Sequence, residues 1–380
     1  MAGNNNLRVA NKAPKDEFYT QLADIENELK HYKEHFKDKV VLCNCDDPRV
    51  SNFFHYFSYN FERLGLKKLI TTCYKNQERD LFSQYNSERA IWLEYTGDRN
   101  GNRVPDPEEI GINYFNGDGD FRSAECVELL KQADIVVTNP PFSLFREYVE
   151  QLITYKKKFL IIGNKNAITY KEIFRLIKDN RLWIGYTPMS QDMLFEWPQA
   201  MQKEAQETGK SGSKFRIVDG KIYGRSPSIW YTNLDHIKRH EELIIYKAYV
   251  SEEYPKYENY NAINVDKTAD IPVDYYGDMG VPITFLDKYN PEQFEIIGLG
   301  IANLGLDSGV QPYKPEHKKY RKEIQKRGAV DGDLYMMIDG IVTVPYARIL
   351  IRRKQNAAQY QAPDEQMRMA AEPNASYSKK

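Results

Sequence analysis

Short apolar runs alternate along residues 39–234 with stretches whose apolar residues recur every third or fourth position. The runs at 39–45, 68–73, 112–115, 134–138, 158–163 and 182–186 have the length and β-branched content of strands, and 90–95 reads as an edge strand. Helical spacing appears at 21–36, where Leu22, Ile25, Leu29 and Tyr32 share a face, and again at 124–132, 145–155 and 170–178. Ser51 stands where an N-cap belongs, ahead of Phe53, Phe54 and Phe57. Strand following helix in this way predicts an α/β fold with a doubly wound, mostly parallel sheet. The run 228–234 is expected to return and pair with 182–186.

The alternation has limits. Residues 187–225 form a polar, Gly- and Ser-bearing excursion, and past residue 240 the chain turns Tyr- and Pro-rich around the apolar segment 281–286. The expected organisation is a flexible N-terminus at 1–14, an α/β domain at 15–240, a second domain at 241–354 and a disordered tail at 355–380.

Composition narrows the function classes. Hydrophobic residues make up 41% of the 380, enough for a sizeable core, and the 28 tyrosines suit recognition surfaces. A formal charge of −1 excludes a chain that binds polyanions over its whole surface, so local clusters matter more. One cluster holds Lys314, Lys318, Lys319, Arg321, Lys322, Lys326 and Arg327 against Glu316 and Glu323, and Arg348, Arg352, Arg353 and Lys354 follow. Either could track phosphates, although a solvated helix face explains the first equally well. The cysteines at 43, 45, 73 and 126 lack metal-ligand spacing and read as small buried residues. No run approaches the ~20 apolar residues of a membrane span, and the N-terminus lacks a signal-peptide core. A soluble, reduced, cytosolic protein without metal is expected.

Candidate chemistry gathers where strands end. Asn139-Pro140-Pro141-Phe142 closes the run 134–138, and ligands of open α/β sheets sit at that carboxyl edge. Proline offers a carbonyl acceptor and no N–H donor. The Asn139 side-chain oxygen and the Pro140 carbonyl could therefore take both N–H bonds of a flat aromatic amine, with Phe142 on its ring. That is the chemistry of nucleobase methylation; the plain alternative is a Pro-Pro turn. Gly117-Asp118-Gly119-Asp120-Phe121 supplies an acceptor beside an aromatic ring, or simply a Gly/Asp turn. Its lack of a glutamate at the twelfth position excludes an EF-hand. Cys45-Asp46-Asp47-Pro48 puts carboxylates at the end of the first strand, and the glycine-free 49–53 argues against a Gly-x-Gly-x-x-Gly turn. Asp16-Glu17-Phe18-Tyr19-Thr20, taken alone, is a helix entry with acids suited to the dipole.

Together these motifs resemble the S-adenosylmethionine-dependent DNA adenine-N6 methyltransferases, most closely the EcoRI-type modification methylases. The resemblance covers residues 15–300, from 16–20 through 41–54, 117–122, 134–146 and 158–170 to 280–286. It implies a sheet of the class I methyltransferase type with a C-terminal DNA-recognition domain. Phe18, Tyr19 and Thr20 would touch the methionine end of S-adenosylmethionine, and Asp46, Asp47 and Pro48 would form the first cofactor turn. Asp120 and Phe121 would hold the cofactor adenine, and Asn139, Pro140, Pro141 and Phe142 the target adenine. Ser51 and Phe53 stand where the wider superfamily has glycines, and Cys73-Tyr74 where it has a ribose-binding acid. Asn rather than Ser at 139 favours adenine over cytosine N4, and the absence of any Pro-Cys dipeptide excludes a C5-cytosine nucleophile. The resemblance implies direct in-line transfer to a base flipped from double-stranded DNA, with Lys314, Lys318, Lys319, Arg321, Lys322, Arg348, Arg352 and Arg353 on phosphates. It also implies a restriction-modification or phage-borne setting, with a restriction endonuclease as genetic partner. The competing expectations are a methyltransferase acting on RNA bases or protein glutamine, and a DNA-binding protein with a decayed site.

Overall fold

In the computed structural model, which describes residues 20–44, 51–74, 90–102, 105, 109–191, 193–196, 215–218 and 221–355, the apolar runs assemble into one eight-stranded sheet. Its strands are β1 (Val40–Asn44), β2 (Lys68–Cys73), β3 (Ile91–Tyr95), β4 (Gly111–Tyr114), β5 (Ile135–Thr138), β6 (Lys158–Asn164), β7 (Trp183–Ile184) and β11 (Ser228–Thr232). They lie in the order β4-β3-β2-β1-β5-β6-β11-β7. β1 runs parallel to β2 and to β5, and β5 parallel to β6. β11 is antiparallel to both β6 and β7, an insertion consistent with the class I methyltransferase type.

The central strands are buried on both faces, and their period of two sorts the core into two layers. Leu42, Val136 and Ile161 point to one face, covered by α4 (Ala124–Gln132), α5 (Phe145–Thr154) and α6 (Lys171–Lys178). Val41, Cys43, Ile135, Val137 and Leu160 point to the other, covered by α1 (Leu22–Leu29), α2 (Asn52–Tyr59) and α3 (Phe61–Leu64). Ser51 caps α2 as expected, its hydroxyl accepting from the Phe54 N–H at 3.4 Å.

Several elements differ from expectation. The helix expected over 21–36 stops at Leu29 and resumes as a 3-10 turn at Lys33–His35. Beside the break the buried Glu28 accepts from the Tyr32 hydroxyl (2.9 Å) and from the backbone N–H groups of Tyr186 (2.6 Å) and Thr187 (2.7 Å). Strand β3 is not the edge, since the exposed β4 pairs outside it. Strand β7 shrinks to two residues, yet β11 returns beside it as expected. Within the excursion, β8 (Met193–Glu196), β9 (Phe215–Val218) and β10 (Lys221–Ser226) make a separate antiparallel sheet.

Past residue 240, β12 (Ala262–Asn264), β13 (Asp278–Pro282), β14 (Phe294–Gly300) and β17 (Arg348–Arg353) form a second sheet in the order β12-β13-β17-β14. The apolar packing does not pause at residue 240. Ile173, Phe174 and Ile177 of α6 belong to the same core cluster as Phe285, Phe294, Leu299 and Ile349. α7 (Ala302–Asp307), α8 (Pro315–Glu323) and the hairpin β15 (Met336–Ile338) and β16 (Ile341–Thr343) complete this part. The expected flexible N-terminus and residues 356–380 of the tail lie outside the described residues. No described helix is long and apolar enough to cross a membrane.

Candidate active site at the carboxyl edge of the central sheet

The strand order reverses at β1. Its parallel neighbour on one side is β2, the next strand in the chain, while on the other it is β5. Such a switch point opens a crevice at the carboxyl ends of the two strands. Asn44 ends β1, Cys73 ends β2 and Asn139 follows β5, so the motifs read from the sequence converge here.

The wholly buried β5 delivers the Asn139–Phe142 segment to this edge. The Thr138 hydroxyl donates to the Asn44 carbonyl, tying the end of β5 to the end of β1. Asn139 is half-buried with its Oδ1 shielded from solvent, and Pro140 is buried. The Pro141 carbonyl accepts from the Leu144 N–H at 3.0 Å, which closes a 3-10 turn over Phe142–Leu144 and launches α5. Phe142 is half-buried against the α1–α3 side of the core. Phe145 anchors the start of α5, packing its ring on the backbone of Gly163 in β6 and on the Tyr231 ring 5.1 Å away. A Cβ at 163 would overlap that ring, which is why only glycine fits there.

The loop after β4 is held to the same wall. Gly119 has φ +77°, and a Cβ on it would lie 2.7 Å from the Cys73 carbonyl oxygen at the end of β2. Phe121 is buried edge-on to Tyr148 of α5 at 5.0 Å, and its carbonyl accepts from Gln151 Nε2 at 3.0 Å. The Tyr148 hydroxyl donates in turn to Asn44 Oδ1. Tyr148 thus ties the end of β1 to the loop at 117–121.

Asp120 keeps its carboxylate at the rim, paired with Arg122. Its Oδ1 accepts from the Arg122 N–H (2.8 Å) and Nε (2.9 Å), and its Oδ2 from the guanidinium at 2.6 Å. Those bonds hold the Asp120 carboxyl below its ordinary range, against the opposing effect of partial burial. A carboxylate offers roughly four acceptor sites and Arg122 fills three, so one remains for an exocyclic amine. Arg122 also reaches Glu147 of α5 at 3.0 Å.

Among the residues expected near a methionine end, Thr20 is buried, and its carbonyl accepts from Asn52 Nδ2 at 2.8 Å. Asn52 opens α2, so the chain at 20 is tied to the start of that helix. Phe18, Tyr19, Asp46, Asp47 and Pro48 lie outside the described residues.

The cations expected on phosphates divide. Arg348 and Arg353 are both interior, with relative exposures of 9% and 5%. Arg348 donates to Asn264 Oδ1 (3.1 Å) and Asp266 (3.2 Å), and Arg353 to the Val273 carbonyl. In β17 the two lie on opposite faces, Arg348 on the side of Leu350 and Arg353 on the side of Ile349 and Ile351, and both faces are covered there. Arg352 faces out but is paired with Asp278 at 2.7 Å. Lys314, Lys318, Lys319, Arg321 and Lys322 sit on or beside α8, which buries no residue.

Asn44, Asn52, Arg122 and Tyr148 join the site without standing out in the sequence. A lone Asn ending an apolar strand is a visible signal for Asn44. Tyr148, by contrast, reads as one more apolar-face residue of a helix.

The chain is similar to known proteins over nearly its whole length. The model of the family described as "Adenine-specific methyltransferase EcoRI" matches residues 6–354. The chain is 48% identical over 358 residues to the type II methyltransferase M.EcoRI of Escherichia coli, covering 93% of this chain and 98% of that protein. It is 40% identical over 291 residues to the type II methyltransferase M.MgeORF184P of Mycoplasma genitalium, covering 76% of this chain and 84% of the relative. M.MpnI of Mycoplasma pneumoniae, also named a type II methyltransferase, matches at 40% over 291 residues, 76% of this chain and 83% of its own. No solved structure matches.

Proposed function

The chain belongs to the EcoRI family of adenine-specific methyltransferases, and on that premise we propose that its carboxyl-edge crevice methylates the N6 of an adenine flipped out of duplex DNA, with S-adenosylmethionine as donor. The observation that carries this reading is the placement of Asn139 and Pro140 at the end of β5, beside the switch point between β1 and β5.

The donor set suits the cofactor. Asp120 has an acceptor site to spare at the rim, Phe121 offers an apolar surface, and Gly119 lets their loop lie against the end of β2. Asp120 and Phe121 would hold the cofactor adenine, while Thr20 with Phe18 and Tyr19, and Asp46, Asp47 and Pro48, would hold the rest. When bound, S-adenosylmethionine supplies an electrophilic sulfonium methyl group, so the chain needs neither a metal nor a covalent intermediate of its own.

The residues of the β5 end do the remaining work. Asn139 Oδ1 and the Pro140 carbonyl accept the two N–H bonds of the adenine amine, drawing the nitrogen lone pair out of conjugation. Phe142 lies on the face of the base and keeps water from it. Alignment and desolvation are then the chain's contribution to rate. Lys319, Lys322 and their neighbours on α8 supply phosphate contacts, which makes affinity salt-dependent. The type II relatives support a further step, a cognate endonuclease whose site this enzyme protects.

The test is transfer of labelled methyl from S-adenosylmethionine to duplex DNA, RNA and protein, by wild type and by Asn139→Ala. Label in N6-methyladenine of DNA, abolished in the variant, is the expected result. Transfer to RNA or protein alone would overturn it. Sequencing the methylated product then reads out the recognition site.

A further inference from the structure

Residues 313–346 build a lobe whose construction the methyl-transfer site does not explain. It has its own small core of Tyr313, Ala329, Tyr335 and Val342, in which the Tyr313 and Tyr335 rings stack at 4.3 Å and 5°. Around that core α8 is pinned by polar tethers. Lys318 pairs with Asp331 at 2.5 Å, Arg321 Nε donates to the Gly328 carbonyl at 2.6 Å, and Gln325 Nε2 donates to the Val342 carbonyl at 2.9 Å. Yet α8 buries none of its residues. Its half-buried Tyr320 packs on that core, but the helix has no wide apolar stripe, and most of what it carries is turned to solvent.

What it shows is positive charge. Residues 314–327 carry seven Lys and Arg against two Glu, in a chain whose net charge is −1. Lys319, Lys322, Lys326 and Arg327 are exposed. Of these, Lys319 makes one loose contact, with Glu323 at 3.9 Å, and Lys322, Lys326 and Arg327 make no ion pair among the described residues.

Beside this surface stands the β15–β16 hairpin. Asp339 and Gly340 have φ +49° and +77°, the left-handed pair of a two-residue type I′ turn, whose twist matches the strands and stiffens the hairpin. Its base is anchored on both faces, Met336 in one core cluster and Val342 in another. Its tip is not. Ile338 and Ile341 are paired directly across the hairpin, so both side chains leave the same face, and both are exposed. Tyr346 is 92% exposed nearby in the chain. A rigid finger with an apolar tip, rimmed by unneutralised cations, has the chemistry of an element that enters a nucleic-acid groove and wedges against stacked bases.

We propose that the 313–346 lobe grips and deforms duplex DNA, with Lys319, Lys322, Lys326 and Arg327 on phosphates and the Ile338–Ile341 tip pressed against the bases. The proposal rests on the reading of duplex DNA as substrate. The wedge lowers the work of extruding the adenine by weakening the stack that holds it.

The experiment uses the full chain, S-adenosylmethionine and duplexes bearing the site found by sequencing. One duplex is intact, one has 2-aminopurine at the target, and one has an abasic position opposite the target adenine. Ile338→Ser/Ile341→Ser should reduce both the 2-aminopurine signal and the methylation rate on intact DNA by roughly tenfold or more, and should recover on the abasic duplex, where extrusion costs little. Lys322→Gln/Lys326→Gln/Arg327→Gln should flatten the salt dependence of binding, its logarithmic slope falling by about 0.9 for each phosphate no longer neutralised. Wild-type flipping by the isoleucine variant would overturn the proposal, as would a defect that the abasic duplex does not restore. So would a wild-type dimer that the isoleucine variant splits while flipping persists, because the tip would then serve a second copy of the chain. Failure of the wild type to methylate any DNA would remove the underlying reading instead, and it is told apart because it needs no variant.

Discussion

The Tyr148 hydroxyl donates to the Asn44 side-chain oxygen across the carboxyl edge of the sheet, while the Tyr148 ring meets the edge of Phe121 at 5.0 Å. One side chain thus fixes the end of β1 by a polar contact and the Asp120–Phe121 loop by an apolar one. The two functions separate by mutation. Tyr148→Phe leaves Asn44 Oδ1 buried without that donor, at a cost of about 1–3 kcal/mol of folding stability. Because the ring stays, affinity for S-adenosylmethionine should hold. Tyr148→Ala removes the support under Phe121 as well and should weaken cofactor binding. Chemical unfolding and titration calorimetry on both variants check this, and equal cofactor affinities for Phe and Ala would refute it.

Gly119 is where the cofactor loop comes closest to the end of β2. A Cβ there would sit 2.7 Å from the Cys73 carbonyl oxygen and 2.9 Å from the Ala90 Cβ, at a φ of +77° that L-residues rarely adopt. Neither the carbonyl nor the short Ala90 side chain can swing away. Gly119→Ala should therefore push Asp120 and Phe121 off their positions and raise the KM for S-adenosylmethionine more than it lowers kcat. Steady-state kinetics with saturating DNA measures the split, and an unchanged KM would count against the loop's role.

The contrast between these two positions shows what the sequence could and could not reveal. Gly119 was legible because a glycine flanked by Asp at a strand end has a local meaning. The strands at 68–73 and 134–138 were legible for the same reason, since β-branched runs bounded by turn residues declare themselves. Tyr148 was not, because its partners lie 104 and 27 positions away in the chain, at Asn44 and Phe121. The helix expected over 21–36 failed likewise: Glu28 and Tyr32 keep good helical spacing, and the partners of Glu28 at Tyr186 and Thr187 lie 158 and 159 positions away. The burial of Arg348 and Arg353 was hidden for a related reason. A basic strand looks the same in sequence whichever way it faces.

Arg348 offers a test of what its burial implies. Its guanidinium is buried among Asn264, Asp266 and Tyr257, with the Tyr257 hydroxyl also donating to Asn264 Oδ1 at 2.8 Å. Arg348→Met should keep the packing of the stem while removing the hydrogen bonds, destabilising the fold by about 1–3 kcal/mol. The salt dependence of DNA binding should not move, since the guanidinium is interior and already hydrogen-bonded. Urea unfolding and binding isotherms at several salt concentrations separate the two effects, and a flattened salt slope with unchanged stability would return Arg348 to the DNA surface.

His236 makes stability depend on pH. It is buried at the seam where β7 meets the 3-10 turn Ile283–Lys288, with Nε2 at 3.0 Å from the Ile184 carbonyl and Nδ1 without a partner. A carbonyl can only accept, so Nε2 carries a hydrogen. Burial pushes its pKa down to about 4, with Arg239 and Lys238 adding to the effect and the Ile184 carbonyl and Asp235 opposing it. In the unfolded chain the same ring titrates near its ordinary 6.5. Between those values the unfolded chain takes up a proton that the folded one refuses, so stability falls as pH falls through that window. Almost nothing is forfeited at pH 7, and the decrease at pH 5 is roughly 2 kcal/mol. His236→Gln removes the titrating group, so the gap between its unfolding free energies at pH 7 and pH 5 should shrink by about that amount. Urea unfolding at both pH values measures the gap, and an identical gap in wild type and variant would show that His236 already carries its proton in the native state.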